Sequence, residues 1–214
     1  MYKPAHTQKH TSQEVIDLMR RYPFVSLVSV DVDGFPFVSH VPIHIEVSND
    51  EVQWIEGHLA LQNPHVALLK SNPKARVIFN GPHSYISPLW YKSGRDVPTW
   101  NYCVAHVCGL VEFDSSFEGI CRNLANLTRD FEKGPEAWKF YLPSDLKTPE
   151  QLTSAIISFK IRPEKVEGKF KLSLNRPAID VESVIHELQK NTDENSQEIS
   201  SMMSLKYLAA KQPK

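Results

Sequence analysis

Apolar positions recur along the chain with two different periods, and the switches between them mark its elements. Val15, Leu18, Met19 and Tyr22 follow one another at helical spacing, and Thr11-Ser12-Gln13-Glu14 before them reads as a capping box with Thr11 and Glu14 as the reciprocal pair. Pro23 ends that helix, because it lacks an N–H and its ring clashes with the preceding turn. Residues 24–31 (FVSLVSVD) read as a strand, and Asp33-Gly34 as a hairpin turn that needs the positive φ glycine tolerates. The return strand is expected to run from Phe35 to about Val47. Its odd positions, Phe37, Ser39, Val41, Ile43, Ile45 and Val47, make a mostly apolar face, and its even positions include His40, His44 and Glu46. Residues 51–57 predict a third strand ending at Gly57.

Asn63-Pro64 then predicts a short helix starting at residue 64, since Asn is a favoured N-cap and Pro a favoured first helical residue. Residues 75–80 predict a fourth strand, residues 81–98 a long loop rich in Pro, Gly and Ser, and residues 99–113 a long fifth strand. Ser115 and Glu118 read as a second capping box, opening an amphipathic helix marked by Phe117, Ile120, Cys121, Leu124, Leu127 and Phe131. Two further strands are expected at 154–162 and 168–174, a helix through Val181, Val184, Ile185 and Leu188, and a last polar helix from Asn195 to Ala210 that reads as a loosely docked or partner-bound tail. Strands joined by hairpins, with a few inserted helices, favour an antiparallel barrel with attached helices over a parallel α/β sheet.

Composition narrows the function classes. The chain has 214 residues and is 41% hydrophobic, enough to bury a core without staples. Its 24 basic and 25 acidic residues leave a net charge of −1, and no helix-turn-helix signature or arginine-rich arm is present, so direct DNA binding is not expected. Cys103, Cys108 and Cys121 have no framework spacing, which points to a reducing compartment, and the first two should face opposite sides of one strand. With no apolar run of spanning length and no leader-like start, the expectation is a cytoplasmic protein.

Four segments could carry chemistry. Gly57 to His65 ends on a capped helix, whose unpaired N–H groups and dipole suit an anion; His58 on the preceding turn and His65 in the first turn would add donors, and an ordinary strand-to-helix connection explains the same residues. Residues 81–91 and 97–102 carry aromatics and small polar residues beside prolines, either a wall for a flat ring or a packed structural loop. On a strand, Lys169, Lys171, Ser173 and Asn175 would share one face, suited to a phosphate or an electron-rich ring, or simply to a solvated edge. His40 and His44 would share a strand face, but no H-E-x-x-H pattern or close cysteine pair accompanies them, so no metal site is expected. Dinucleotide, Walker and nucleophile-elbow motifs are also missing.

Taken in order, G-H-L-A-L-Q-N-P (57–64), G-P-H-S-Y-I-S-P-L-W-Y (81–91), V-P-T-W-N-Y (97–102) and K-L-S-L-N-R (171–176) resemble the PaiB family of FMN-binding negative transcriptional regulators, as does the opening M-Y-K-P. The resemblance implies an FMN-binding split β-barrel similar to pyridoxamine-phosphate oxidase over residues 1–176, with a helical extension at 177–214, working as a homodimer with FMN in the interface groove. It implies that Ser39, His40, Val41 and Pro42, with His58 and Asn63, line the phosphate end. Thr99, Asn101 and Tyr102 would lie near the ring or its ribityl chain, and Lys171, Ser173, Asn175 and Arg176 would approach from the last strand. The oxidase relatives grip the phosphate with an Arg-Lys pair where this chain reads Asn63-Pro64-His65, which implies a weaker hold on FMN. Any enzymatic activity would be flavin-dependent redox chemistry, with no residue singled out as general acid or base. The alternative is a haem-binding or haem-degrading split barrel, since some members of that fold hold haem.

Overall fold

A computed structural model describes residues 1–2, 4–7, 10–94, 96–138 and 149–211; Lys3 of the opening motif lies outside them. The elements are α1 (Ser12–Arg21), β1 (Phe24–Val30), β2 (Pro36–Pro42), β3 (His44–Ser48), β4 (Glu51–Ala60), α2 (Pro64–Ser71), β5 (Lys74–Ile86), β6 (Thr99–Asp114), α3 (Phe117–Phe131), α4 (Pro149–Ala155), β7 (Ile156–Lys171), α5 (Ala178–Lys190) and α6 (Glu194–Lys211). The seven strands form one open sheet in the order β2-β1-β5-β6-β7-β4-β3. Pairing is antiparallel between β1 and β2, β1 and β5, β3 and β4, and β4 and β7. Two compact units divide the chain: Met1–Leu18, Asn80–Ala105 and Gly168–Lys214 make one, Met19–Phe79 and His106–Glu167 the other.

Local sequence explains most element ends. The capping box closes as expected, with the Thr11 N–H donating to Glu14 Oε2 (2.7 Å) and the Glu14 N–H to Thr11 Oγ1 (3.2 Å). In the first hairpin the Gly34 N–H donates to the Asp31 carbonyl (3.2 Å), Gly34 takes φ 85°, and the Asp31 N–H donates to the Phe35 carbonyl (2.9 Å). This is a type I turn relaxed by a left-handed glycine. The β3–β4 hairpin turns on Asn49 and Asp50, both with positive φ (53° and 58°), as a two-residue loop between paired strands demands.

Several expected boundaries move. The single strand expected over 35–47 is two strands, interrupted at Ile43, whose N–H donates to the Pro23 carbonyl (3.0 Å). β2 and β3 therefore stand at opposite ends of the sheet order, and His40 and His44 do not share a strand face. His44 is buried, its Nδ1 2.5 Å from Asp130 Oδ2, so alternation fails there because α3 covers that position. Gly57 does not end β4. It sits opposite Phe159 in the β4–β7 register, where a Cβ would come within 2.8 Å of the Phe159 ring. Residues 81–86 continue β5 rather than opening the loop, and the strands expected at 154–162 and 168–174 are one strand preceded by α4. The N-cap of α3 is Ser116, not Ser115; its Oγ accepts from the Gly119 N–H (3.1 Å). The last helix is not a loose tail: it starts from an Asp193 cap and buries Ile199 and Met203 completely.

The core of the second unit gathers Leu27, Ile43, Ile55, Phe79, Ile120 and Ile161, all at most 1% exposed. In the first unit α5 and α6 pack through Val184, Leu188, Ile199 and Met203. All three cysteines are free thiols.

β6 meets β7 closely at Gly109, where a Cβ would stand 2.2 Å from the Arg162 carbonyl oxygen. Backbone cannot yield as a side-chain end can. Gly109→Ala is expected to destabilise the fold by about 1–3 kcal/mol, measured as a lower urea midpoint at unchanged slope.

Candidate functional site

The residues picked out in the sequence fall into two clusters, one in each unit. In the second unit, the connection from β4 to α2 is closed by its own side chains. Asn63 caps α2, its Oδ1 accepting from the His65 N–H (2.9 Å), and its Nδ2 donates to Ser39 Oγ (3.1 Å). The His65 imidazole is fully buried between two hydroxyls, with Nδ1 2.9 Å from Ser39 Oγ and Nε2 2.9 Å from Ser29 Oγ. Burial holds this imidazole below its ordinary value, so it is the neutral ring that bridges β1, β2 and α2. His65 is thus a structural keystone rather than a surface donor.

The other residues of this group are more scattered. Val41 is buried core and Pro42 ends β2. His40 is exposed, its Nδ1 3.2 Å from Ser26 Oγ and its ring stacked on Phe24 (6.4 Å, 30°). Alternation along β2 turns Ser39 and His40 to opposite faces, so one face of the strand cannot present both. His58 lies on β4 opposite Ser158, not on a turn, and its Nδ1 is 2.9 Å from Asn123 Oδ1 on α3. Asn123 is buried, and its Nδ2 has no hydrogen-bond partner among the described residues. A helical Asn carries no sequence signal for this role, because only the packing of α3 brings it to His58.

In the first unit, the start of β6 and the end of β7 interlock. Lys171 Nζ donates to Thr99 Oγ1 (2.6 Å) and to the Trp100 carbonyl. Ser173 Oγ donates to Asn101 Oδ1 (2.7 Å), and the fully buried Asn101 donates onward to Met203 Sδ (3.4 Å). Arg176 pairs with Asp96 and lies 4.9 Å from the Tyr91 ring centre, while Asn175 is exposed. The expected shared face of 169–175 breaks after Lys171, where β7 ends. Ser173 takes a left-handed φ of 55°, and the Arg176 N–H donates to its carbonyl (3.1 Å) in a tight turn. Tyr102 meets Lys169, whose Nζ is 5.2 Å from the ring centre. Burial above all, then the charges of Lys169 and Arg176, holds the Lys171 ammonium below the ordinary lysine range.

The aromatics of residues 81–102 also converge. The Trp100 ring, about half exposed, lies 6.0 Å from both His83 and Tyr85. A cavity of about 410 Å³ opens beside them, lined also by Trp90, Asn195 and Ser196. The loop after Trp90 is fastened to α5 by Asp180, whose carboxylate accepts from the N–H groups of Lys92 (2.7 Å) and Ser93 (2.9 Å) and from the Ser93 hydroxyl (2.5 Å). Burial by itself would raise this carboxyl, but the three hydrogen bonds outweigh it and hold it below the usual range. Among the described residues no group of three His, Cys, Asp or Glu side chains is placed to hold a metal ion.

The chain matches a family model described as "Putative FMN-binding domain" over residues 1–165. It is also 30% identical over 206 residues to Protease synthase and sporulation protein PAI 2 of Bacillus subtilis strain 168, covering 95% of this chain and 96% of that protein. The chain belongs to the PaiB family. A yeast relative, Uncharacterized protein YKL070W of Saccharomyces cerevisiae, is 36% identical over 115 residues, half of this PaiB-family chain and 66% of the yeast protein. Among solved structures, a putative 5-nitroimidazole antibiotic resistance protein of Bacteroides thetaiotaomicron superposes with a TM-score of 0.58 at 16% identity, covering 75% of this chain and 84% of that one. The FAD and haem binding protein of Mycobacterium smegmatis gives 0.56 at 14%, covering 75% and 71%. At these identities the likeness shows the fold alone: the PaiB chain shares with these proteins a mainly antiparallel open sheet with attached helices. The family match stops at residue 165, short of Lys171, Ser173, Asn175 and Arg176.

Two outcomes are expected for the α2 connection. Asn63→Ala removes both the cap and the bond to Ser39, and should cost about 1–2 kcal/mol in chemical denaturation. His65 stays neutral in the fold, so its contribution is complete above its ordinary value of 6.5 and is lost as pH falls through it. Melting temperature should therefore drop between about pH 7 and about pH 5, and His65→Gln should flatten that drop.

Proposed function

We propose that this PaiB-family chain binds FMN and works as a flavin-dependent regulatory protein, as a homodimer. The observation that carries the reading is the cluster at the start of β6 and the end of β7. There the half-buried ammonium of Lys171 meets the Thr99 hydroxyl, the Ser173 hydroxyl meets the Asn101 amide, and Lys169 lies over the Tyr102 ring, in a chain that matches an FMN-binding domain. A flavin offers a flat ring with polar atoms along one edge and a hydroxylated side chain. Fixed donors next to aromatic surface suit both parts. Redox chemistry would be the flavin's own; these residues would bind and orient it.

A regulatory role is proposed to run through the flavin rather than through a direct grip on DNA, because the chain carries a net charge of −1. Among the described residues no helix is long and apolar enough to cross a membrane.

Titrating apo-protein with FMN should quench the flavin fluorescence, and Asn101→Ala or Lys171→Met should weaken binding about tenfold. Flavin fluorescence that stays unquenched in a large excess of wild-type protein would sink the reading. Sedimentation of the same samples tests the dimer, which a monomer at working concentration would refute. A mobility-shift assay with tight, salt-sensitive, sequence-selective binding would overturn the indirect route.

A further inference from the structure

A charged side chain that folds inward normally carries a counter-charge with it, because an ion withdrawn from water without a partner is costly. Three partly buried cations of this chain obey the rule. Lys160 lies 2.7 Å from Glu56, Lys206 lies 2.5 Å from Glu14, and Arg176 pairs with Asp96. Two lysines at the end of β7 break it.

Lys169 is the more enclosed, at 9% exposure, and among the described residues no carboxylate or hydrogen-bond acceptor meets its ammonium. It meets rings instead: Nζ is 5.2 Å from the centre of Tyr102 and 5.7 Å from that of Tyr2. Lys171 lies two residues further along the strand and so projects from the same face. Its ammonium is fixed by Thr99 Oγ1 and the Trp100 carbonyl, both neutral. Glu167, buried two residues before Lys169 on the same strand, is paired with Lys165 (3.1 Å), and Asp96 is taken by Arg176. Burial above all, then the charges of Lys169 and Arg176, disfavours the protonated form of Lys171, and an aromatic face offsets only part of the cost of a buried cation. A like-charged pair held by its own scaffold, walled by rings and lacking an anion, is the complement of a small negatively charged group.

We propose that Lys169 and Lys171 form a binding site for a compact oxyanion, a phosphate or carboxylate group, seated against their ammonium groups beside the Tyr102 ring. This goes beyond flavin binding, since it concerns the charge of the ligand whichever molecule carries it. The oxyanion is either the phosphate of FMN itself or the acidic group of a second small molecule.

Thermal unfolding of the full-length apo-protein in inorganic phosphate, against chloride at matched ionic strength, tests the site. Phosphate at ten times its dissociation constant should raise the melting temperature by about 3–6 °C. Lys169→Met should abolish the rise while melting no lower than wild type in chloride, because the cation it removes has no counter-charge among the described residues. Lys171→Met gives a second reading should the first variant fold poorly. A wild-type midpoint that moves in neither phosphate nor acetate overturns the proposal, and so does a rise that persists in both variants. FMN and riboflavin titrations with and without phosphate then separate the two sources. Phosphate that weakens FMN but not riboflavin assigns the site to the flavin's own phosphate, and phosphate that weakens neither assigns it to a second molecule. Failure of the flavin reading would show as unquenched fluorescence and leave the phosphate response of wild type in place.

Discussion

The pairing of β4 with β7 is the constraint on which the sheet depends. Ile55 stands opposite Ile161, Gly57 opposite Phe159, and Leu59 opposite Ile157, so one face of the ladder is continuously apolar and buried. A pleated ladder has a period of two, and a slip of one residue would turn all of these positions outward. Gly57 lets the register close, because a side chain there would collide with the Phe159 ring and with Ile43. The β3–β4 hairpin joins the sheet through this ladder alone, since β3 is a terminal strand in the order. Gly57 therefore belongs to the packing of the sheet before it belongs to any ligand.

Buried polarity is handled in two ways. Most of it is satisfied internally. His65 is closed between Ser29 and Ser39, and Asp180 accepts three hydrogen bonds from Lys92 and Ser93. Such groups tie elements together, and their hydrogen bonds recover what desolvation takes away. Some of it is left open among the described residues, as at Asn123 Nδ2, His10 Nδ1, His106 Nδ1 and the Lys169 ammonium. Unmet donors and charges inside a fold are expensive, so they identify where a ligand can contribute more than another side chain would. Asn101 and Ser173 belong to the satisfied kind: Ser173 donates to Asn101, and Asn101 donates onward to Met203 Sδ.

Much of the architecture was legible in the chain. The Thr11–Glu14 capping box, the Asp33-Gly34 turn and the Asn63-Pro64 helix start are local devices whose chemistry lies within a few residues, and each forms as expected. The family motifs likewise led to the PaiB family. Local reading failed where an element's fate rests on distant chain. The break at Ile43 arises from a bond to the Pro23 carbonyl, and His44 is buried because Asp130 of α3 reaches it. Gly57 looks like a terminator until Phe159 is seen opposite it.

Sequence by itself determined most element types and the turn chemistry, because these follow from short-range sterics, capping and periodicity, while its motifs carried the family resemblance. Tertiary structure alone decided which of those residues meet. It closed Ser39, Asn63 and His65 into one network and gave His58 to Asn123. It also set Lys171 against Thr99 and left Lys169 with rings but no counter-charge. Partners more than a hundred residues apart, such as Asn101 and Met203, become neighbours only when the strands and helices pack. Burial, which determines the cost of a charge, is a property of that packing and has no local code.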